Sequence, residues 1–211
     1  MYHQALMYLA WERPESAERL LTEVLEHGRA IWGVEGGPTL NVMRNLARAH
    51  EAQGQYSKAE PLRTQVLRAV RRKVGADHAD AIAAAVTLSA NLLHLRRYAE
   101  AEPHLREVLA VRTKKEPDAW ATFNTRSMLG GALLGQKQYA EAEPLLVEGY
   151  KGMKAREKTI PQSGGGELRI PEALDRLIEL YTATDKPDEA AKWRAERAKH
   201  PFIAPPPRLG R

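Results

Sequence analysis

The chain has 211 residues, of which 43% are hydrophobic and 28% charged, the balance of a folded protein rather than a disordered one. It has no cysteine, which excludes disulfide staples, thiolate metal sites and cysteine nucleophiles. The net charge of +5 sits at one end: Lys192, Arg194, Arg197, Lys199, Arg208 and Arg211 stand against Glu196 alone, and the residues before them are balanced.

Taken in chain order, the sequence says one thing several times. It begins inside an apolar helical stretch ending near Ala10, and "PESAERL" from Pro14 opens the next helix. A breaker, "GGP" at 36–38, precedes a helix with Leu40, Met43, Leu46 and Ala47 on one face, and Gly54 ends it. "YSKAEPL" at 56–62 starts the following helix, and "VGADHAD" at 74–80 is a turn. The next pair is marked by "YAEAEPH" at 98–104, with Tyr98, Ala101, Leu105 and Leu109 stepping by three or four. After "EPD" at 116–118 come Phe123, Leu129 and Leu133, then "YAEAEPL" at 139–145 with Tyr139, Ala142, Leu146, Tyr150 and Met153 on one face. An insertion at 158–170 containing "SGGG" delays the last pair, whose second helix opens with "PDEAAKW" at Pro187. Pro14, Pro171 and Pro187 suit a first helical turn, where a missing N–H costs little, and the acid after each suits the helix dipole.

Tyr56, Tyr98 and Tyr139 are 42 and 41 residues apart, so the chain divides into units of about 1–33, 34–75, 76–116, 117–158 and 171–200, with a Pro-rich tail at 201–211. Small residues recur where paired helices should meet: Ala59, Ala101, Ala142 and Ala190 against Ala47, Ser89 and Gly130. The expected fold is all-α, a right-handed superhelical array of about five antiparallel helix pairs with the first incomplete.

The stretch "LNVMRNLARAHEAQGQYSKAEPL" at 40–62 resembles the tetratricopeptide repeat, in the 42-residue form of kinesin light chains. "NLLHLRRYAEAEPHL" at 91–105 and "LGGALLGQKQYAEAEPLL" at 129–146 extend the resemblance, and "VGADHAD" resembles the inter-repeat turn. Residues 119–200 also resemble the repeat arrays that follow the kinase domain of some bacterial serine/threonine kinases, which implies a regulatory or recruiting arm of a larger protein.

Nothing in the chain gathers into a catalytic constellation. The histidines at 3, 27, 50, 78, 94, 104 and 200 form no H-E-x-x-H pair. His78 in "ADHAD" belongs to a turn, with Asp80 placed to cap the next helix. Glu100 with Glu102, and Glu141 with Glu143, diverge around a helix and cannot flank one bond. "SGGG" lacks the G-K-[ST] of a phosphate loop, and neither a G-x-S-x-G elbow nor a kinase catalytic loop occurs. The expectation is a non-enzyme with no cofactor and no metal.

The resemblance places a binding groove on the first helix of each pair. It implies Asn41, Arg44, Asn45 and Arg48 in the second unit, Ala83, Val86, Thr87 and Ala90 with His94 in the third, Asn124, Ser127, Met128 and Gly131 in the fourth, and Glu172, Asp175, Arg176 and Glu179 in the fifth. Asn45 coincides with an asparagine that in the family bonds peptide backbone. Arg44 and Arg48, one turn apart, suit a carboxylate. The groove would run from basic to acidic, with Arg63 and Arg112 turned away on second helices. The expected partner is a protein or peptide segment. Self-association through the uncapped N-terminal end is the first rival, and nucleic-acid binding through the basic end the weaker second. No apolar run is long enough to span a membrane and the start does not read as a signal peptide, so the expected location is the cytoplasm.

Overall fold

A computed structural model describes residues 1–161 and 166–200. It contains ten α-helices and two single 3-10 turns, with no strand among the described residues. In order these are α1 (Tyr2–Ala10), α2 (Pro14–Trp32), α3 (Gly37–Ala52), α4 (Tyr56–Val74), α5 (Ala79–His94), α6 (Tyr98–Lys115), α7 (Trp120–Gly135), α8 (Tyr139–Ala155), α9 (Arg169–Ala183) and α10 (Pro187–Arg197). Each quoted tyrosine is the first residue of its helix, and Pro14 and Pro187 likewise open α2 and α10. The chain divides into two compact units, one ending at Val111 and the other beginning at Arg112.

In the first unit α1 packs on α2, α2 on α3, α3 on α4 and α4 on α5. The core is built from Leu21, Leu25, Met43, Leu46, Val66, Leu67, Leu88 and Leu105, all buried. In the second unit α7 packs closely on α8, and α9 packs on both and on α10. Its core holds Leu133, Leu146, Met153, Leu174, Leu177 and Leu180. The recurring small residues Ala59, Ala101, Ala142 and Ala190, with Ala47, Ser89 and Gly130, are buried, whereas Ala99 and Ala140 are exposed. That pattern fixes the register of the second helices.

Two turn devices recur with the repeat. Between the helices of each pair one residue stands in the left-handed region: Glu12, Gly54, Arg96, Lys137 and Asp185, with φ of 54°, 73°, 57°, 63° and 53°. Glycine occupies this place only once, and side-chain-bearing residues there cost roughly 1–2 kcal/mol. Lys137→Gly is therefore expected to raise stability by about 0.5–1 kcal/mol after the extra unfolded-state entropy of glycine is subtracted; its midpoint in urea measures this. Between pairs, Thr39 Oγ1 donates to the carbonyl of Gly33 at 2.7 Å and Thr122 Oγ1 to that of Glu116 at 2.7 Å, closing two turns alike.

Three side chains differ from expectation. The cap of α5 is His78, whose Nδ1 accepts from the Asp80 amide at 3.2 Å, so Asp80 lies inside the first turn. Arg63 is buried at 8% exposure, donating to Glu51 Oε1 through Nε at 2.9 Å and to Oε2 through Nη2 at 2.6 Å. In the first, third and fourth repeats its place is held by Leu21, Leu105 and Leu146, each fully buried, and in the last by the exposed Arg194; Arg63 itself points into the core and not outward. Arg112 also turns inward, bonding the Ala121 carbonyl and Thr125 Oγ1 at 2.8 Å each. Both guanidiniums are long enough to leave an apolar column and find an acceptor on the neighbouring helix, which periodicity alone does not register.

Candidate functional site

On α3 the buried positions are Thr39, Leu40, Val42, Met43, Leu46, Ala47, Ala49 and His50. The uncovered stripe is then Asn41, Arg44, Asn45 and Arg48, at spacings of three and four that place them on one face. Arg44 Nη1 donates to Asn41 Oδ1 at 2.9 Å, which holds the guanidinium along the helix. Asn45 Nδ2 donates both to Tyr2 Oη and to the Asn41 carbonyl, each at 2.9 Å. The donor side of Asn45 is thereby occupied, and among the described residues no side chain donates to its Oδ1. Arg48 is exposed, with no ion pair among the described residues. The stripe therefore offers one acceptor, one braced cation and one unpaired cation in two turns of helix.

One repeat on, α5 is apolar at the matching places: Ala83 is exposed, Val86 and Ala90 half-buried. Thr87 is exposed, but its hydroxyl donates back to the Ala84 carbonyl at 3.0 Å. His94 stacks on Tyr56 at 4.2 Å between ring centroids and 7° between planes. Its ring therefore lies against the start of α4, at the end of α5, rather than continuing the stripe.

The second unit is arranged differently. Asn124 is only 5% exposed and Ser127 fully buried, so neither lies on an open face. Among the described residues Asn124 Nδ2 reaches only Met128 Sδ, at 3.6 Å, and its Oδ1 has no partner. Arg176 of α9 lies over Gly131 of α7, where a Cβ would come within 2.8 Å of Arg176 Cδ, and donates to Ser127 Oγ at 3.1 Å. Burial lowers the Arg176 pKa against the pull of Glu172, whose carboxylate lies 3.6 Å away. Glu172 also pairs with Arg169 at 3.0 Å, and Asp175 with Arg197 at 2.8 Å. The acidic end expected in the fifth repeat is thus largely neutralised from within, and among the described residues Glu179 makes no ion pair. Of the expected groove residues, α3 holds four along one side, Asn41 and Arg48 exposed and Arg44 and Asn45 half-buried, while Ser127 and Arg176 meet in an internal contact and Asn124 is buried beside Met128.

Sequence reasoning overlooked Tyr2, whose hydroxyl orients Asn45, and Glu51, which carries Arg63 and accepts from Asn91 Nδ2 at 3.4 Å. The signal for the second was present: Glu51 and Arg63 are twelve residues apart, as are Leu9 and Leu21, Leu93 and Leu105, and Leu134 and Leu146. Three repeats thus carry a leucine pair at these places, the second a charged pair, and the last Thr182 with Arg194, joined by a hydrogen bond. Among the described residues no group of three or more histidines and carboxylates gathers, and no helix is long and apolar enough to cross a membrane.

The sequence matches the tetratricopeptide repeat family over residues 1–72, 38–114 and 80–155. No curated protein matches the chain. Among solved structures, a kinesin light chain-type protein of nearly identical TPR-like repeats from Podosopora anserina superposes with a TM-score of 0.72 at 21% identity, over 94% of this chain and 92% of that one. BtubC (BKLC) from P. vanneervenii gives 0.67 at 15% identity, over 98% and 82%. MamA from Desulfovibrio magneticus RS-1 gives 0.61 at 17% identity, over 94% and 91%. At these identities the likeness is one of fold.

Proposed function

We infer the function from the family outward: the chain belongs to the tetratricopeptide repeat proteins, which are protein–protein interaction scaffolds, and α3 is where it holds its partner. The partner is an extended protein segment bearing a carboxylate. Its side chain is taken by Arg48 with Arg44 beside it, and a backbone N–H donates to Asn45 Oδ1. The observation that carries this reading is the α3 stripe. On it Asn41 and Arg48 are exposed and Arg44 and Asn45 half-buried, and among the described residues Arg48 makes no ion pair and the neighbouring Asn45 Oδ1 takes no side-chain hydrogen bond. An arginine kept solvated without a counter-ion contributes little to stability, so it is available for binding. Beyond α3 the shallow apolar places on α5, Val86 and Ala90, would accept small aliphatic side chains of the same segment.

Random peptides displayed on phage and selected on the whole chain test this. Selected sequences should be enriched in Asp and Glu at one position. Arg48→Ala should weaken a selected peptide by roughly 1.5–3 kcal/mol, the range for hydrogen bonds to charged groups. Arg68→Ala, exposed on the second helix α4, should change affinity little. Peptides that ignore Arg48 and respond to Arg68 would overturn the α3 site.

A further inference from the structure

We propose that Tyr2 sets the selectivity of the α3 site: it holds the Asn45 amide so that an acceptor alone faces the partner, and a segment lacking an N–H at that place is rejected. This role rests on the α3 reading, which it refines.

Asn45 Nδ2 carries two protons, and both are engaged, one by Tyr2 Oη and the other by the Asn41 carbonyl, each at 2.9 Å. The opposite orientation of the amide would set Oδ1 against the Asn41 carbonyl oxygen, two acceptors face to face, so the hydrogen bonds themselves fix which end is which. The bond to Asn41 is local, four residues back on the same helix, and leaves one proton over. The bond to Tyr2 comes from another helix, 43 residues away, and takes that second proton. Without it the proton would be free to donate outward beside Oδ1, and Asn45 would accept donors and acceptors alike.

The same contact recurs in the second unit. Tyr2 stands twelve residues before the start of α2, and Asn45 eleven before the start of α4. Ser127 stands twelve before the start of α8 and Arg176 eleven before that of α10, and Ser127 Oγ accepts from Arg176 Nη1 at 3.1 Å. In each unit a hydroxyl at one place of a first helix therefore takes an N–H from the first helix that follows. Where Arg44 holds that place, the next residue in the series, Thr87, bonds the Ala84 carbonyl of its own helix instead. The hydroxyl thus turns the following side chain's N–H inward. In the second unit it draws in a guanidinium, which has no acceptor to present. In the first it draws in an amide, whose other end is a carbonyl, and the half-buried Asn45 is left as an acceptor one turn from the exposed Arg48.

The test uses the whole chain and an acidic peptide selected on it by phage display, with each backbone amide of the peptide replaced in turn by an ester. An ester exchanges the N–H for an oxygen at nearly constant shape. At one place it should weaken binding to the parent at least about tenfold, because an acceptor then faces Asn45 Oδ1. Against Tyr2→Phe the loss at that place should shrink to about threefold or less, since the released Asn45 N–H can turn to the ester oxygen. A loss equal in the parent and in Tyr2→Phe would overturn the proposal, as would a peptide with no ester-sensitive place. A second measurement needs no peptide. In the parent both Asn45 side-chain amide protons should exchange slowly with solvent, and in Tyr2→Phe one of them should exchange at least about tenfold faster, as one hydrogen bond is lost. Equal exchange in the two proteins would also overturn it. Arg48→Ala separates this role from the reading beneath it, because it should weaken every peptide of the series alike. A series indifferent to Arg48→Ala would remove the α3 site and the role of Tyr2 with it, whereas equal ester losses with an intact Arg48 effect would remove the role of Tyr2 alone.

Discussion

Glu51→Leu is expected to lower the stability of the protein by about 3–5 kcal/mol, the cost of stranding a buried charge. The stranded group is the Arg63 guanidinium, whose side chain is 9% exposed and whose Nε and Nη2 both donate to Glu51. Asn91, whose Oδ1 has no partner among the described residues, would lose its Nδ2 contact as well. Arg63→Leu should cost less, about 1–2 kcal/mol, because the Glu51 side chain it leaves behind is 24% exposed and partly solvated. The double variant should return to within about 1 kcal/mol of the parent, or exceed it, since replacing a buried ion pair by fitted apolar groups is often neutral or stabilising. It would rebuild the leucine pair already present as Leu9 with Leu21, Leu93 with Leu105 and Leu134 with Leu146. Urea midpoints of the four proteins form a complete double-mutant cycle. A double variant as unstable as Glu51→Leu would show that this repeat is not shaped like its neighbours.

Ala142→Leu should destabilise by about 1–3 kcal/mol, while Ala140→Leu stays within about 0.5 kcal/mol of the parent. Ala142 is fully buried and Ala140 exposed, two residues apart on α8. The interface leaves no space to yield. A Cβ on Gly149 would lie 2.7 Å from the Ser127 amide nitrogen and 2.9 Å from the Phe123 carbonyl, both backbone atoms of α7. A Cβ on Gly130 would lie 2.7 Å from Leu146 Cγ. Backbone cannot rotate away as a side chain can, so the added atoms of a leucine must push the helices apart. Equal urea midpoints for the two variants would contradict the register of α8.

Much of the architecture was legible because it rests on local and repeated signals. Tyr56, Tyr98 and Tyr139 mark helix starts, and the three-to-four spacing of apolar residues marks the buried faces; neither depends on distant contacts. The functional face was legible only in part. Asn41, Arg44, Asn45 and Arg48 could be grouped from helical spacing, because four residues on one helix share a geometry fixed by the backbone. Arg176 could not be placed so. Its position depends on Gly131, one pair earlier, being too small to exclude it, and on Ser127 being there to accept. Arg63 was misjudged for a related reason: an arginine reads as exposed unless its carboxylate partner is recognised, and Glu51 lies across a turn on the other helix. Tyr2 was missed because its contact with Asn45 spans 43 residues. Side chains that answer to other helices are the ones a one-dimensional pattern cannot orient.

Within each unit every helix leans chiefly on those next to it in the chain, α1 on α2 through α4 on α5, and α7 on α8 through α9 on α10. Such a topology has kinetic consequences. No early contact must wait for a long loop to close, so the entropic barrier that slows sheet proteins is small, and folding within a unit should be fast for its length. The same economy makes unfolding piecemeal. A helix that packs on few others should open at lower free energy than one packed on several. Amide exchange should therefore be graded along the array, quickest at α1 and α10 and slowest at inner helices such as α3 and α8.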